Sequence, residues 1–290
     1  MNTPEESAPQ EPAQTASASR DDGSSRSLSQ RLWELFVALA AWILSVALLV
    51  LPQILAVPYL IYRYQGAQLS PEALLADKTL VILLVSGILP AHLITLGIAW
   101  AVATRFGKIP IKEALRWQWG SRTSILKPIG LAVVLFALAW AITFAFGGKE
   151  TDIDKIIKSS KAAALILAFL AVATAPLVEE IIYRGILFPA WQQLTGSKIA
   201  VIVVTLSFAL PHIPQYRANL GVISAITMLS LVLTIVRART GRLLPCYVIH
   251  LVFNGISSVL IVIQALFRLN AESPPPDVTP TIVWWLLGML

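Results

Sequence analysis

Residues 162–191 read AAALILAFLAVATAPLVEEIIYRGILFPAW. This stretch indicates a membrane-spanning helix and contains the first candidate functional residues. Before Glu179 it contains only apolar or small residues and one proline. A charged side chain at the centre of a bilayer costs about 2.5–3.5 kcal/mol on insertion scales, yet Glu179 and Glu180 are adjacent here. Intramembrane ionisable groups mark functional sites by default, so we expect a reaction centre inside the membrane. The chain also has three histidines, each in an apolar run: His92, His212 and His250.

The composition of the whole chain agrees with a membrane protein. It is 57% hydrophobic and 13% charged, with a mean hydropathy of +0.74, whereas soluble domains are about 25% charged. The apolar runs are continuous and lack the period-2 alternation of a membrane barrel. We therefore predict an all-α, polytopic membrane protein with seven to eight transmembrane helices. The predicted spans are Leu32–Leu55, Leu80–Ala103, Ile125–Phe146, Ala162–Ile186, Ile199–Ile213, Leu220–Val236, Leu243–Leu266 and a short eighth segment, Thr281–Leu290.

Composition also divides the chain into four regions. Residues 1–30 are rich in Pro, Ser, Ala, Glu and Gln, which predicts a disordered tail. Residues 31–160 form the N-terminal transmembrane helices, and 161–266 form a transmembrane core that holds the candidate catalytic residues. Residues 267–290 form a loop and a short hydrophobic segment.

The net charge of +6 is best explained by membrane topology. Lys and Arg collect in cytoplasmic loops, and here they concentrate at 105–127 and at 237–242. If both clusters are cytoplasmic, the N-terminal tail is cytoplasmic too. The partner of these charges is then the lipid bilayer, and we expect no nucleic-acid binding.

The first polar island within the apolar runs contains two glutamates and an arginine. Glu180 and Arg184 are four residues apart and share a helix face, so that their charges can cancel. Glu179 is turned about 100° away and is left free for chemistry. The alternative is that these polar residues only mark the end of a helix.

Two further islands follow in the chain. His212 is bracketed by Pro211 and Pro214, which predicts a kinked helix of the kind that lines cavities in membranes. His250 and Asn254 project from one helix face, where the alternative is a hydrogen-bonded pair between helices. His92 belongs to no island, and we interpret it as structural or cavity-lining.

Together the islands read EExxxR, FxxxH and HxxxN, in this order and on separate hydrophobic segments. Over residues 162–258 the chain resembles the CPBP family of intramembrane proteases. This family includes enzymes that cleave the C-terminal tripeptide from prenylated CAAX proteins, and prokaryotic members linked to bacteriocin processing or immunity.

The resemblance implies a role for each motif residue. Glu179 and His212 would activate a water, and His250 and Asn254 would stabilise the oxyanion. Glu180 and Arg184 would support them. A zinc ion held by Glu179, His212 and His250 is the alternative, because two histidines, a carboxylate and a water form a usual catalytic zinc set. We favour no metal cofactor, because Glu180 is the one acidic side chain in the motif helices that could orient a histidine ligand, and we assign it to Arg184.

The resulting hypothesis is a peptidase that cleaves a membrane-associated peptide or protein. We expect a multi-pass protein of a prokaryotic inner or plasma membrane, with its N-terminus in the cytoplasm. One alternative is a non-catalytic peptide-binding protein of the same fold, as in immunity. The other is a proton-coupled transporter, which the lack of an internal repeat disfavours.

The hypothesis requires that Glu179 and His212 lie at a similar depth in the membrane. With simple spans, Glu179 would lie near one end of its helix and His212 near the opposite end of the next. The two can meet only if the Glu179 helix continues to about Gln193 and the His212 helix kinks at Pro211.

Overall fold

The fold is built of helices, as the unbroken apolar runs predict. The computed structural model describes residues 27–65, 70–120, 124–147 and 150–267, and these contain no β-strand. The first part comprises α1 (Leu28–Ala47), a 3₁₀ turn (Leu48–Val50), α2 (Leu51–Tyr64), α3 (Pro71–Ala76), α4 (Lys78–Ser86), α5 (Ile88–Ala103), α6 (Ile111–Ala114) and α7 (Leu126–Ala145). The second part comprises α8 (Asp152–Ser159), α9 (Lys161–Ala173), α10 (Ala175–Glu179), a π-helix (Glu180–Leu187), α11 (Phe188–Ala209), a 3₁₀ turn (Leu210–His212), α12 (Ile213–Tyr216), α13 (Leu220–Thr240) and α14 (Leu244–Phe267).

Six helical runs among the described residues are long and apolar enough to cross a membrane. The predictions of an all-α fold and of a multi-pass membrane protein are therefore confirmed, although the predicted count of seven to eight spans is approximate. The six runs are Leu28–Tyr64, Lys78–Ala103, Leu126–Ala145, Lys161–Tyr216, Leu220–Thr240 and Leu244–Phe267.

The longest run explains most of the difference in count. Lys161–Tyr216 has 56 residues, which as one straight helix would measure about 84 Å against a hydrocarbon core of about 30 Å. It is not straight, because Gly196 has a φ of 78°, a left-handed conformation that glycine adopts without steric cost. Two predicted spans, Ala162–Ile186 and Ile199–Ile213, lie on either side of this break.

The predictions for the two ends of the chain, a disordered tail and an eighth hydrophobic segment, fall mostly outside the described residues. Ser27 caps α1 through a capping box with Gln30, so residues 28–30 belong to a helix and not to the predicted tail. Residues 1–26 and the predicted eighth segment, Thr281–Leu290, lie outside the described part of the chain.

The helix boundaries bear on whether Glu179 and His212 can lie at the same depth in the membrane. Helical structure continues through the π-helix into α11 and breaks only at Gly196, so the Glu179 helix passes Gln193. At Pro211 the chain leaves the α-conformation for a 3₁₀ turn that ends at His212. Glu179 is therefore followed by a continuous helical run to the break at Gly196, and His212 is the last residue of the 3₁₀ turn.

The core of the bundle brings the later helices together. The face of α7 around Ala132 and Leu135 packs against Leu229 and Leu233 of α13, and α14 joins them through Cys246 and Ile249. On its other side α14 packs on α9, with Ile261 and Ala265 beside Ala164 and Ala168. These contacts hold α14, which carries His250 and Asn254, between α9 on one side and α7 and α13 on the other.

The contact between α7 and α13 depends on a glycine. A Cβ atom added at Gly221 would lie 2.7 Å from the backbone Cα of Thr143 and 3.2 Å from Phe146 Cβ. Real Cβ atoms do not approach a backbone atom so closely, so a side chain at this position would force the two helices apart.

We therefore expect Gly221→Ala to destabilise the protein by about 1–3 kcal/mol, the range for overpacking a close contact. Gly130→Ala is the matched control, because a Cβ at Gly130 in α7 would meet nothing within 4 Å. Thermal unfolding of both purified variants in the same detergent checks this. Equal melting temperatures for the two variants would contradict the close approach of α13 to α7.

Candidate active site

The two glutamates lie at a change of helix type. Thr174, with φ −121° and ψ −41°, interrupts the helix before Pro176, and α10 then ends at Glu179. From Glu180 the chain forms an eight-residue π-helix whose members are all buried. π-Helical turns are rare and occur frequently at functional sites. Here the π-helix brings Glu180 into the protein interior while Glu179 remains at the edge of a cavity.

Glu180 and Arg184 form a fully buried ion pair. Arg184 Nη1 donates to Glu180 Oε1 at 2.9 Å, and both side chains are 0% exposed. The rest of the guanidinium is bound by α13: Nη2 donates to the carbonyl and the hydroxyl of Ser230, and Nε donates to Thr234 Oγ1. The Phe208 ring lies 4.6 Å from the guanidinium carbon, in cation–π range. The pair therefore joins the π-helix to α13 and to the end of α11.

His250 lies between the two glutamates. Its Nδ1 is 2.9 Å from Glu180 Oε1, and its Nε2 is 3.5 Å from Glu179 Oε2. Glu180 Oε1 thus accepts a hydrogen bond from Arg184, as the four-residue spacing predicts, and a second one from His250. Glu180 is therefore not occupied by Arg184 alone, and it orients a histidine as well. The local spacing showed only the partner four residues away, whereas His250 is 70 residues away in the chain.

His212 is oriented by its own backbone. Its Nδ1 is 2.8 Å from the carbonyl oxygen of Phe208, one turn earlier. A carbonyl can only accept, so Nδ1 carries the proton and the neutral ring has its lone pair on Nε2. The Phe208 ring stacks on His212 with centroids 5.0 Å apart and meets the edge of His250 at 6.0 Å. Phe208 thus lies between the two imidazoles and fixes their positions.

Asn254 connects α14 to α9. Its Nδ2 donates to the carbonyl oxygen of Ala171 at 2.9 Å. This contact resembles the hydrogen bond between helices that the sequence left open as an alternative. An amide nitrogen has two hydrogens, so one N–H of Asn254 remains for another acceptor.

All four candidate catalytic residues line one cavity of about 660 Å³ inside the bundle. Its other walls are mainly apolar side chains, and towards one end it reaches α8 and α12. The structure therefore brings Glu179, His212, His250 and Asn254 together, and it places Glu180 and Arg184 behind them.

His92 of α5 lines the same cavity, although it belongs to none of the three motifs. Thr174 Oγ1 donates to the carbonyl of Leu170, so at the 2.7 Å contact between His92 Nδ1 and Thr174 Oγ1 the imidazole is the donor. The bond fastens α5 to the break that precedes Glu179. The sequence signal was only a histidine beside Pro90 in an apolar run, which is why its interpretation stayed open.

Helix α8, which borders one end of the cavity, contains a buried carboxylate, Asp154, that does not itself line the cavity. Asp154 Oδ2 accepts from the backbone N–H and the hydroxyl of Thr151, both at 2.7 Å, which closes the N-terminus of α8. Its Oδ1 is buried and has no hydrogen-bond partner among the described residues. Burial raises the pKa of Asp154 above its usual value, although the Thr151 hydrogen bonds oppose this. The protonated form therefore stabilises the folded state, and the stabilisation is lost as the pH rises through the folded-state pKa.

The contacts of the histidines agree with a zinc site, but the grouping of the candidate ligands does not. Each of His92, His212 and His250 is held through Nδ1, as zinc ligands are by their outer partners. Among the described residues, however, no three His, Cys, Asp or Glu side chains are close enough together to hold a metal ion. The residues as arranged do not form a zinc site, and no chemical step is assigned to a metal.

The comparison with protein families agrees with the motifs. A family profile described as "Type II CAAX prenyl endopeptidase Rce1-like" matches residues 161–256, about one third of the chain. The matched segment contains all three motifs and supports the CPBP family of CAAX proteases, so the resemblance found in the sequence is confirmed. No significant match was found among curated proteins or among solved structures.

The buried ion pair gives a prediction about stability. Arg184→Ala leaves Glu180 buried without its guanidinium, and we expect a loss of about 3–5 kcal/mol with little folded protein after extraction. Arg239→Ala, at an exposed position of α13, is the matched control. The yield of monodisperse protein and its melting temperature provide the measurement. A variant at position 184 as stable as the control would show that Glu180 does not need this partner.

Proposed function

We propose that the chain is an intramembrane endopeptidase that hydrolyses a peptide bond in a membrane-associated substrate. The observation that carries the proposal is the convergence of Glu179, His212, His250 and Asn254 on one cavity within the membrane-spanning runs. The match to a CAAX prenyl endopeptidase family supports the same class of reaction. A plasma membrane of a prokaryote, with the basic loops and the N-terminus in the cytoplasm, remains our proposed location.

Water activation is assigned to Glu179 and His212. Glu179 retains 23% exposure of its side chain, towards the cavity, and no arginine or lysine among the described residues forms an ion pair with it. The neutral His212 ring offers Nε2 as an acceptor, because Nδ1 donates to Phe208. We assign both acceptors, which line the same cavity, to a water that donates one hydrogen to each, so that a lone pair of its oxygen faces the substrate.

The charge state of His250 follows from its neighbours. Two carboxylates and one guanidinium surround it, so an imidazolium at His250 makes the cluster with Glu179, Glu180 and Arg184 electrically neutral. Neutrality lowers the cost of burying charged groups. In that state His250 Nε2–H faces Glu179 Oε2 at 3.5 Å, and it is available to a substrate oxyanion once Glu179 has taken up a proton.

The proposed reaction conserves its protons. Water attacks the carbonyl carbon while Glu179 accepts one water proton, and the carbonyl oxygen becomes an oxyanion. His250 Nε2–H and the second N–H of Asn254 stabilise that oxyanion. Glu179 then donates its proton to the amide nitrogen, the C–N bond breaks, and the products are a new carboxyl group and a new amino group.

The cavity favours a substrate with an apolar portion. Its walls are mainly aliphatic and aromatic side chains from several membrane-spanning helices, and it lies within the membrane-spanning part of the fold. A prenylated or otherwise hydrophobic peptide terminus would bury apolar surface there, and a free soluble peptide would gain less. The family description names prenylated CAAX substrates, and we use such a peptide as the first probe.

Glu179→Gln tests the proposal directly. Glutamine keeps the size of the side chain but cannot accept a proton, and we expect the cleavage rate to fall by at least about 100-fold. Glu150→Gln, which removes an exposed carboxylate outside the cavity, should keep the wild-type rate. The assay follows an internally quenched, farnesylated CAAX peptide and a palmitoylated control peptide in phosphatidylcholine vesicles that contain the purified full chain.

The same assay separates an enzyme from a binding protein. If the wild-type protein retains both peptides without cleaving either one, and Glu179→Gln binds them equally well, the chain is a peptide-binding member of the fold. Cleavage that is independent of Glu179 would instead place the chemistry elsewhere in the cavity.

The metal-free assignment has its own test. Because the candidate ligands are not grouped to hold a metal ion in the described residues, we expect activity to survive 1,10-phenanthroline and the purified protein to hold far less than one zinc per chain. Elemental analysis of active protein provides the measurement. One zinc per chain, with activity lost on its removal and restored on its return, would overturn the assignment.

A further inference from the structure

A second pocket lies outside the cavity, where the loop that follows α5 meets the turn between α13 and α14. It has a volume of about 580 Å³. The backbone N–H of Leu243 donates to the Arg116 carbonyl at 3.2 Å and joins the two segments. The Trp117 and Tyr247 rings pack beside this junction with centroids 5.0 Å apart. The walls of the pocket include Lys112, Glu113, Arg116, Trp117, Gly241 and Arg242.

The charges of this pocket are not balanced. Three cationic side chains, Lys112, Arg116 and Arg242, face one carboxylate, Glu113. Within the described ranges, none of these four side chains forms a hydrogen bond or an ion pair. Arg242 Nε is also shielded from solvent and has no acceptor there. A buried donor without an acceptor is costly, and a bound anion would remove that cost.

The backbone holds the cations in place. Arg116 has a φ of 51°, in the left-handed region that non-glycine residues rarely adopt. Gly241 has a φ of 65° and no side chain, and a Cβ added there would lie 3.4 Å from Arg116 Nη1. The guanidinium of Arg116 therefore occupies the space beside Gly241, next to the residue that carries the second guanidinium, Arg242. Strained backbone of this kind occurs at ligand-binding sites.

The position of the pocket identifies the source of the anion. The membrane-spanning runs Lys78–Ala103 and Leu220–Thr240 end beside it, and Leu244–Phe267 begins there. Such ends lie at the depth of the lipid headgroups, where tryptophan is also enriched. Basic pockets between membrane helices bind anionic headgroups, and the arginine fork matches phosphate oxygens.

We propose that this pocket binds the phosphate of an anionic phospholipid, with Arg116 and Arg242 on the phosphate oxygens and Lys112 at its edge. Glu113 would accept a hydrogen bond from a hydroxyl of the headgroup, which favours a glycerol headgroup over choline, a group without donors. The proposal is independent of the peptidase assignment, because no residue of this pocket lines the cavity.

A bound lipid would also brace the helix behind the active site. Leu115 and Leu243 flank the pocket, and their Cδ2 atoms lie 2.9 and 3.6 Å from a Cβ built at Gly185 of the π-helix. Arg237, four residues before Gly241, donates from Nε to the Arg184 carbonyl at 2.9 Å. Occupancy of the pocket should therefore raise the melting temperature of the whole chain.

The test compares two double variants of the purified full chain. Arg116→Gln/Arg242→Gln removes two cations from the pocket, and Lys127→Gln/Arg239→Gln removes two exposed cations outside it. Native mass spectrometry with added dioleoyl phosphatidylglycerol should show one tightly held lipid on the wild type and on the control. We expect binding at least about tenfold weaker in the pocket variant, together with the loss of the lipid-dependent rise in melting temperature.

Three outcomes would overturn the proposal. Equal losses in the two double variants would mean that only net charge matters. Displacement of the lipid by millimolar inorganic phosphate would assign the pocket to a free anion. Equal affinity for phosphatidylcholine and phosphatidylglycerol would remove the anionic specificity. Melting in lipid-free detergent is the folding control, and it should change little because the two arginine side chains have no hydrogen bond or ion pair to lose among the described residues.

Discussion

One carboxylate oxygen, Oε1 of Glu180, connects the parts of the protein that have to meet. It accepts from Arg184 on its own helix and from His250 on α14, at 2.9 Å each. Arg184 in turn donates to Ser230 and Thr234 of α13. The second carboxylate oxygen of Glu180, Oε2, is buried without a hydrogen-bond partner in the described residues. Any loosening of the contacts of Oε1 would therefore leave a charge without partners in an apolar interior. The relative positions of three helices are thereby fixed by electrostatics as well as by packing.

The π-helix explains how two adjacent glutamates acquire different environments. Glu180 begins the π-helix and is completely buried, whereas Glu179 ends α10 and keeps a face towards the cavity. In a regular helix the two side chains would also diverge, but the wider turn allows the eight residues from Glu180 to Leu187 to bury all their side chains. One glutamate is therefore fixed as the counter-ion of Arg184, while its neighbour faces the cavity.

Local patterns in the sequence predicted the features that depend on residues close together in the chain. Continuous apolar runs predicted the all-α membrane fold, the four-residue spacing predicted the Glu180–Arg184 pair, and the prolines around His212 predicted that the regular α-helix is interrupted there. The contacts of Glu180 with His250 and of Asn254 with Ala171 join residues 70 and 83 positions apart, and no periodicity reveals them. The π-helix has no propensity signal either, because it arises where tertiary contacts outweigh regular hydrogen bonding. His92 shows the same limit, since its position depends on how α5 packs against the break at Thr174.

The two adjacent glutamates also differ in their charged partners. The guanidinium of Arg184 is directed away from the cavity and is satisfied by Glu180 and α13, so it does not neutralise Glu179. Among the ion pairs of the described chain, the Glu179 carboxylate contacts only the imidazole of His250. Placing the permanent cation on Glu180, one residue away, completes the buried pair and leaves the Glu179 carboxylate facing the cavity without an arginine or lysine partner among the described residues.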